Sequence, residues 1–173
     1  GNPPHKRPEQ TGIRTGDRLA MVKLAIEGIP HFFLQTYEAE KRTVSYSYET
    51  MEHLREACPE RTFYYIIGAD SLFQVETWKH PERFLRSCTM IAAKREHRET
   101  DDALESQIRH LKERYKTVIL FSRAPVFEVS SSKIREMVKR GEDIHHLVPP
   151  SVASYIYNHH LYREDIEVEQ RNS

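Results

Sequence analysis

Residues 62–78, TFYYIIGADSLFQVETW, limit the possible folds of this chain more than any other stretch. The first six residues of the stretch are β-branched or aromatic and show no polar alternation, which is typical of a strand buried in a parallel sheet. Gly68 ends this run, and residues 71–77 are predicted to form a short helix. The stretch therefore predicts a strand followed directly by a helix, as in open α/β sheets.

The carboxyl end of this strand is a candidate ligand site, because open α/β sheets bind ligands at that edge. Gly68 allows the backbone to approach a ligand closely, and the carboxylate of Asp70 can accept hydrogen bonds from ribose hydroxyls. The same two residues also fit an ordinary turn with an aspartate helix cap. From these residues alone, both interpretations stay open.

The remainder of the chain alternates apolar strands with amphipathic helices. Further strands are predicted at residues 31–37, 89–93 and 117–121. This alternation predicts a three-layer α/β fold with a mainly parallel sheet. The chain of 173 residues suits one domain, predicted to span residues 1–163, with a polar tail at residues 164–173.

Composition argues against several classes of partner. The chain carries 26 basic and 26 acidic residues, so neither nucleic acid nor a membrane surface is expected as its main partner. No apolar run approaches the roughly 18 residues of a membrane helix, and no signal peptide is visible. Its 2 cysteines provide no disulfide framework, which makes a cytoplasmic location the default expectation. The 10 histidines lack metalloenzyme spacing, so no protein metal site is expected.

Two helix starts that are led by serine are candidate anion sites. Ser47 is the predicted N-cap of one helix, and the free N–H groups and the dipole at such an end favour a carboxylate or a phosphate. Ser130-Ser131-Ser132 begins another helix and is followed closely by Lys133 and Arg135. Because one serine suffices for a cap, three serines with two nearby bases indicate a polyphosphate site.

Basic residues outside the helices form a second group of candidates. Lys94 and Arg95 directly follow the strand predicted at residues 89–93, at the edge of the sheet where a ligand is expected. Lys6 lies in a loop rich in proline and glycine, and lysine binds phosphate as a point charge. Solvated surface charges are the alternative interpretation for both groups.

Familiar nucleotide and hydrolase motifs are absent: there is no Walker motif, no Gly-x-Gly-x-x-Gly and no Gly-x-Ser-x-Gly. A different set of motifs instead resembles, in the same order, the bacterial nicotinate-nucleotide adenylyltransferases. These motifs are Pro3-Pro4-His5-Lys6, Asp17-Arg18, Ser45-Tyr46-Ser47, Ile66-Ile67-Gly68-Ala69-Asp70-Ser71-Leu72, Trp78, Lys94-Arg95, Val129-Ser130-Ser131-Ser132-Lys133-Ile134-Arg135, Leu147-Val148-Pro149 and His160-Leu161-Tyr162. The resemblance covers residues 2–163, and the motifs at 66–72 and 129–135 are the most specific for that family.

The resemblance implies a Rossmann-like nucleotidyltransferase fold and a particular reaction. Such enzymes transfer AMP from ATP to nicotinate mononucleotide, with Mg²⁺, and release pyrophosphate. The product is nicotinate adenine dinucleotide, a precursor of NAD. ATP and nicotinate mononucleotide are then the expected small-molecule partners, and homo-oligomerisation is left open.

The resemblance also implies roles for residues on the ATP side. Gly68 and Asp70 resemble contacts to a nucleotide ribose. Ser131, Ser132 and Arg135 resemble the cradle of the ATP phosphates, where a guanidinium supports catalysis by neutralising charge on the leaving pyrophosphate. Lys6 is expected to approach the phosphates from the N-terminal loop.

On the mononucleotide side, Trp78 resembles the tryptophan that stacks on the nicotinate ring, for which its flat π-face is suited. Ser47 resembles the helix start that offers backbone N–H groups to the ring carboxylate. Lys79, a substrate-binding candidate, replaces the tyrosine that many relatives carry, a change that is harmless if only the backbone amide at this position contacts the carboxylate. Arg95, with Lys94, resembles the contact to the mononucleotide phosphate.

One departure from the family concerns catalysis. In the family, the histidines of a glycine-rich segment, Gly-Thr-Phe-Asp-Pro-x-His-x-Gly-His, stabilise the transferring phosphate. Neither this segment nor the first strand that accompanies it occurs in this sequence. The resemblance therefore implies that an N-terminal piece is absent and that a chain truly beginning at Gly1 would be inactive and poorly folded. None of the family's principal catalytic residues is assigned in this chain.

Two alternatives remain at this stage. A sister adenylyltransferase would act on nicotinamide mononucleotide or phosphopantetheine, although Trp78 and the helix start at Ser47 favour a flat carboxylated ring. A nucleotide-binding fragment without catalysis would agree with the absence of the histidine segment.

Overall fold

The computed structural model describes residues 13–41, 43–93, 101–122 and 129–163. The chain divides into two compact units, one formed by residues 41–128 and the other by residues 1–40 together with 129–173. We call them the sheet unit and the helical unit, after the elements that their described residues form.

The sheet unit contains three parallel strands, β1 (Tyr64–Gly68), β2 (Thr89–Ala93) and β3 (Ile119–Ser122), in the order β1-β2-β3. Helix α3 (Ser47–Ala57) precedes β1. The connection from β1 to β2 contains α4 (Ala69–Gln74), the 3-10 turn Val75–Thr77 and α5 (Pro81–Ser87), and α6 (Asp101–Tyr115) leads to β3. Because parallel strands require such crossovers, the expected alternation of helices and strands is confirmed.

The core of the sheet unit lies on one face of the sheet. Ile67, Met90, Ala92 and Ile119 point towards this face, where they pack with buried side chains from all four helices. On the opposite face, Tyr64 is 57% exposed and Ile66 is 73% exposed. The expectation that β1 is buried throughout is therefore wrong: successive side chains of a strand point to opposite faces, and the described helices of this unit cover only one.

The helical unit contains α1 (Thr15–Ile26), α2 (Tyr37–Glu40), α7 (Ser131–Lys139) and α8 (Pro150–Asn158). Its core consists of five buried residues: Val138, Ile144, Val152, Ala153 and Ile156. Met21, Leu24 and Ala25 of α1 pack against this core. Met21 lies three residues before Leu24 and four before Ala25, so the three side chains lie on one side of the helix.

The prediction of a strand at residues 31–37 is wrong, since the chain there is irregular up to the start of α2. Phe33 in this segment is 89% exposed. Aromatic residues favour strands only where a neighbouring strand and a buried face are available, and the described residues provide neither at this position.

Helices long and apolar enough to cross a bilayer do not occur in the described ranges. The predicted tail at residues 164–173 lies outside those ranges. The extent of the domain, the cytoplasmic location and homo-oligomerisation all stay predictions.

Candidate functional site

The carboxyl end of β1 has room for a ligand. Gly68 ends the strand with an extended backbone, φ −70° and ψ 151°, and serves as the N-cap of α4. A Cβ atom placed on Gly68 would meet no heavy atom within 4 Å beyond those of Gly68 and its two chain neighbours. Asp70 follows in the first turn of α4 with an exposed side chain. A polar group therefore lies beside open space at the end of a parallel strand, where the fold favours ligand binding.

An aromatic cluster connects Ser47 to Trp78. The Ser47 hydroxyl oxygen lies 3.5 Å from the Tyr65 hydroxyl oxygen. The Tyr65 ring packs edge-on against Phe84, with ring centroids 4.9 Å apart, and the Trp78 ring lies 5.3 Å from the same Phe84 ring. Two residues that the sequence placed on the mononucleotide side are thus brought to one place, with the fully buried Phe84 between them.

The sequence predicted Ser47 as the N-cap of α3, and this prediction is wrong. The cap position belongs to Tyr46, whose backbone is extended with φ −109° and ψ 138°, and Ser47 is the first helical residue. Tyr46 makes no side-chain hydrogen bond to the helix amides. The helix starts one residue earlier than predicted, because the conformation of the backbone, and not the serine hydroxyl, determines where it begins. The serine hydroxyl faces Tyr65 instead.

Positive charge lies close to this helix start. The Lys79 ammonium is 4.5 Å from the centroid of the Tyr46 ring, a cation–π contact. Lys41 forms a 2.9 Å ion pair with Glu49. The hydrogen bond from Lys41 lowers the pKa of the Glu49 carboxyl against the opposing effect of partial burial, and the charge of Lys79 lowers it further. The Lys79 side chain therefore approaches the start of α3, in addition to the backbone amide considered from the sequence.

At the start of α7, a single serine provides the cap. The Ser130 hydroxyl accepts a hydrogen bond from the backbone N–H of Lys133 at 3.1 Å. The hydroxyls of Ser131 and Ser132 are therefore not needed as caps, and both residues are exposed. Arg135 donates through Nη2 to the Ser132 hydroxyl at 3.1 Å. The structure thus brings Ser132 and Arg135 together, as a phosphate cradle requires.

The charge of Arg135 acts on Tyr162, a further polar residue of the helical unit. Burial raises the pKa of the Tyr162 phenol, against the lowering effect of the positive charges on Arg135 and Arg18. Tyr155 donates a hydrogen bond to Asp17 at 3.0 Å, which connects α8 to α1. Arg135 itself is half-buried.

Three of the predicted site residues, Lys6, Lys94 and Arg95, lie outside the described residues. Within the described ranges, no group of three or more histidine, cysteine, aspartate or glutamate side chains could hold a metal ion. A metal that enters with a nucleotide would still fit, because Mg²⁺ often keeps several waters and binds through substrate phosphates and one or two carboxylates.

Sequence reasoning missed Tyr46, Tyr65 and Phe84 as parts of the site. Tyr65 and Ile67 share a face of β1, and this alternation would have indicated that Tyr65 points the same way as the core. No comparable signal exists for the contact between Phe84 and Trp78, because it depends on how α5 packs.

Comparison with known proteins agrees with this architecture. Two solved structures of the Plasmodium falciparum nicotinic acid mononucleotide adenylyltransferase share the fold, one described as complexed with APC and the other as complexed with NaAD. The first has a TM-score of 0.65 and 20% identity, covering 85% of this chain and 75% of that chain. The second has a TM-score of 0.67 and 20% identity, covering 90% of this chain and 78% of that chain. The fold is therefore the Rossmann-like nucleotidyltransferase fold.

The Cytidylyltransferase-like family matches residues 1–137, which places the chain in that class of nucleotidyltransferases. A probable nicotinate-nucleotide adenylyltransferase of Lachnoclostridium phytofermentans is 37% identical over 159 residues, 92% of this chain and 79% of the relative. The corresponding protein of Clostridium tetani is 37% identical over 163 residues, 94% of this chain and 80% of the relative. The chain belongs to the nicotinate-nucleotide adenylyltransferase family, which confirms the resemblance seen in its motifs.

Proposed function

We propose that this protein transfers AMP from ATP to nicotinate mononucleotide, giving nicotinate adenine dinucleotide and pyrophosphate for NAD biosynthesis. The observation that carries the proposal is that Tyr65 and Phe84 connect Ser47 to Trp78 within the sheet unit, while the Lys79 ammonium lies over the ring of Tyr46, the residue before Ser47. This cluster offers an aromatic face and a positive charge beside a helix start. A flat ring that bears a carboxylate needs both.

In this reaction, an oxygen of the mononucleotide phosphate attacks the α-phosphorus of ATP. The new phosphorus–oxygen bond forms as the bond between the α-phosphorus and its bridging oxygen to the β-phosphate breaks, and pyrophosphate takes up the bonding electrons. No protein nucleophile is required, so the described residues contribute by positioning and electrostatics. Adenylyltransferases that use ATP are generally metal-dependent. We infer that Mg²⁺ enters with the triphosphate and neutralises part of its charge.

On the ATP side, Ser131 and Ser132 would hold phosphate oxygens through their hydroxyls and the first amides of α7. Arg135, already oriented by Ser132, would neutralise the pyrophosphate as its charge develops. Gly68 and Asp70 would contact a ribose, which the open space at Gly68 supports. Lys6 would add a charge to the phosphates from the N-terminal loop.

On the mononucleotide side, Trp78 would stack on the ring, while the start of α3 and Lys79 would face its carboxylate. Arg95, with Lys94, would bind the mononucleotide phosphate. Preference for the acid over the amide then has a physical cause, because the amide lacks the negative charge that helix amides and an ammonium stabilise.

Binding of the proposed substrate can be tested through the fluorescence of Trp78, the single tryptophan of the chain. Nicotinate mononucleotide added to the full-length protein is expected to change the emission, because the ring stacks on the indole. Nicotinamide mononucleotide is expected to bind on the order of tenfold more weakly, since it loses one charge-assisted contact. AMP, added alone as a control, should change the emission much less.

Emission that stays constant at saturating nicotinate mononucleotide would remove Trp78 from the site. Equal affinity for the acid and the amide would overturn the carboxylate assignment and favour a sister enzyme that uses the amide.

Gly68→Ala tests the ribose contact with little effect on the fold. Its extended backbone is open to alanine, and an added Cβ meets no protein atom within 4 Å. The free energy of unfolding should therefore change by no more than about 1 kcal/mol, the usual effect of replacing glycine by alanine where the backbone suits both. The Cβ would occupy space next to the proposed ribose, so the KM for one nucleotide should rise severalfold.

Steady-state kinetics and urea denaturation of the same preparation separate the two effects. As a control, Gly16→Ala adds a Cβ that also meets no atom within 4 Å, and it should leave both KM values unchanged. If Gly68→Ala leaves them unchanged too, the end of β1 does not contact a nucleotide.

A further inference from the structure

One carboxylate connects the turn before Trp78 to the end of α6. Glu76 lies in the 3-10 turn, two residues before Trp78. It accepts a hydrogen bond from the Tyr115 hydroxyl at 3.0 Å, and its two carboxylate oxygens lie 3.3 and 3.1 Å from His110 Nε2. Arg114 Nη1 is 3.1 Å from Glu76 Oε1. Three side chains from the last turns of α6 therefore converge on Glu76.

The convergence suits an ionised carboxylate. Partial burial on its own would raise the pKa of Glu76, but the hydrogen bonds from Tyr115 and His110 and the charges of His110 and Arg114 outweigh it, so the pKa is lowered. Burial and the neighbouring Glu76 raise the pKa of the Tyr115 phenol. Tyr115 therefore stays protonated at neutral pH and donates its hydrogen bond to a charged acceptor, the stronger kind of hydrogen bond.

The described 3-10 turn consists of Val75, Glu76 and Thr77, and of these residues only Val75 is buried in the core. Val75 is fully buried, whereas Thr77 is exposed and its hydroxyl donates to the carbonyl oxygen of Gln74 within the same segment at 2.7 Å. The backbone N–H of Trp78 donates to the carbonyl oxygen of Val75 at 3.1 Å. Apolar contacts, here of Val75 with the core and of the Trp78 ring with Phe84, fix the position of the turn better than its orientation, because such contacts are not directional. The hydrogen bonds of Glu76 provide the missing direction.

We propose that Glu76 is a positioning residue for the mononucleotide half of the site, holding the turn so that the Trp78 indole keeps the orientation in which it stacks on the ring. The ligand named here rests on the proposed function, but the connection between Glu76 and Trp78 does not. Glu76 touches no substrate in this scheme and acts through Trp78.

The test uses the full-length protein with Glu76→Ala, Glu76→Gln and Tyr115→Phe. Glu113→Gln serves as the control, because Glu113 is an exposed carboxylate on the same helix α6. Quenching of Trp78 fluorescence by acrylamide is measured without ligand, and the KM values for nicotinate mononucleotide and ATP are measured separately. Glu76→Ala should increase the quenching and raise the KM for nicotinate mononucleotide on the order of tenfold, since small misplacements of a positioned group weaken its action.

Glu76→Gln keeps the size of the side chain and one acceptor oxygen, so it should restore part of both properties. Tyr115→Phe should act in the same direction, and its effect should not add fully to that of Glu76→Ala, because Glu76→Ala already removes the hydrogen bond that the two residues share. Glu113→Gln should change neither measurement.

Several results would overturn the inference. Unchanged quenching in Glu76→Ala would do so whatever the kinetics. An equal rise in both KM values, with no recovery in Glu76→Gln, would indicate a general loss of structure instead. If the wild-type protein fails to use nicotinate mononucleotide while Glu76→Ala still increases the quenching, the proposed function is wrong but the link between Glu76 and Trp78 stands.

Discussion

Replacing Arg135 by alanine is expected to lower kcat/KM for ATP by roughly tenfold to a hundredfold, because a lost charge-assisted contact costs on the order of 1.5–3 kcal/mol. Arg135 lies one turn into α7 and already donates to Ser132, so its guanidinium is oriented before any phosphate binds. The KM for nicotinate mononucleotide should change far less. Initial rates over a matrix of both substrate concentrations give the two constants separately.

Two further variants make the result specific. Arg135→Lys keeps the charge but loses the planar guanidinium, so it should recover only part of the activity. Arg140→Ala removes an arginine at the other end of the same helix, where it forms an ion pair with Glu136, and kinetics should be unaffected. If Arg135→Ala alters only the constants for the mononucleotide, the two substrate sites have been exchanged in our assignment.

Phe84→Ala is expected to lower the free energy of unfolding by about 3–5 kcal/mol, as for other large aromatic side chains removed from a core. Phe84 is fully buried and contacts the rings of both Tyr65 and Trp78. Because many domains have only about 5–15 kcal/mol of stability, this variant should unfold at a much lower urea concentration. Urea denaturation followed by circular dichroism measures the loss.

A milder variant shows whether Phe84 also supports the site. Phe84→Leu keeps most of the apolar volume, so the protein should stay folded while the emission of Trp78 shifts and the KM for nicotinate mononucleotide rises. Phe73→Ala is the matched control, since Phe73 lies on the neighbouring α4 but is 37% exposed. A loss of stability in Phe73→Ala as large as that in Phe84→Ala would contradict the core assigned to this unit.

Local patterns were enough to predict much of the sheet unit. The apolar run ended by Gly68 predicted a strand at residues 62–67, and the strand is found at Tyr64–Gly68. The strand predicted at residues 89–93 is found at Thr89–Ala93, and the strand predicted at 117–121 is found at Ile119–Ser122. The amphipathic helix between these two strands is α6. These predictions succeed because periodicity and glycine placement act over a few residues and do not depend on the rest of the chain.

Predictions failed where a local signal needed a partner from elsewhere. The aromatic residues at 31–37 suit a strand, but no described strand pairs with them. Ser47 has a good capping side chain, yet the extended backbone of Tyr46 places the cap one residue earlier. In each case a side-chain preference worth a kcal/mol or less yields to the backbone conformation that tertiary packing favours.

Residue types in a fixed order identified the class of fold and the family from the sequence alone, and they predict which residues serve each substrate. Which of these residues meet depends on the packing of the folded chain. The contact between Ser47 and Tyr65 joins residues 18 positions apart, and the hydrogen bond from Tyr115 to Glu76 joins residues 39 positions apart. Both depend on how α3 and α6 pack on the sheet. Helix packing follows from the shapes of many side chains at once, so no short motif contains it.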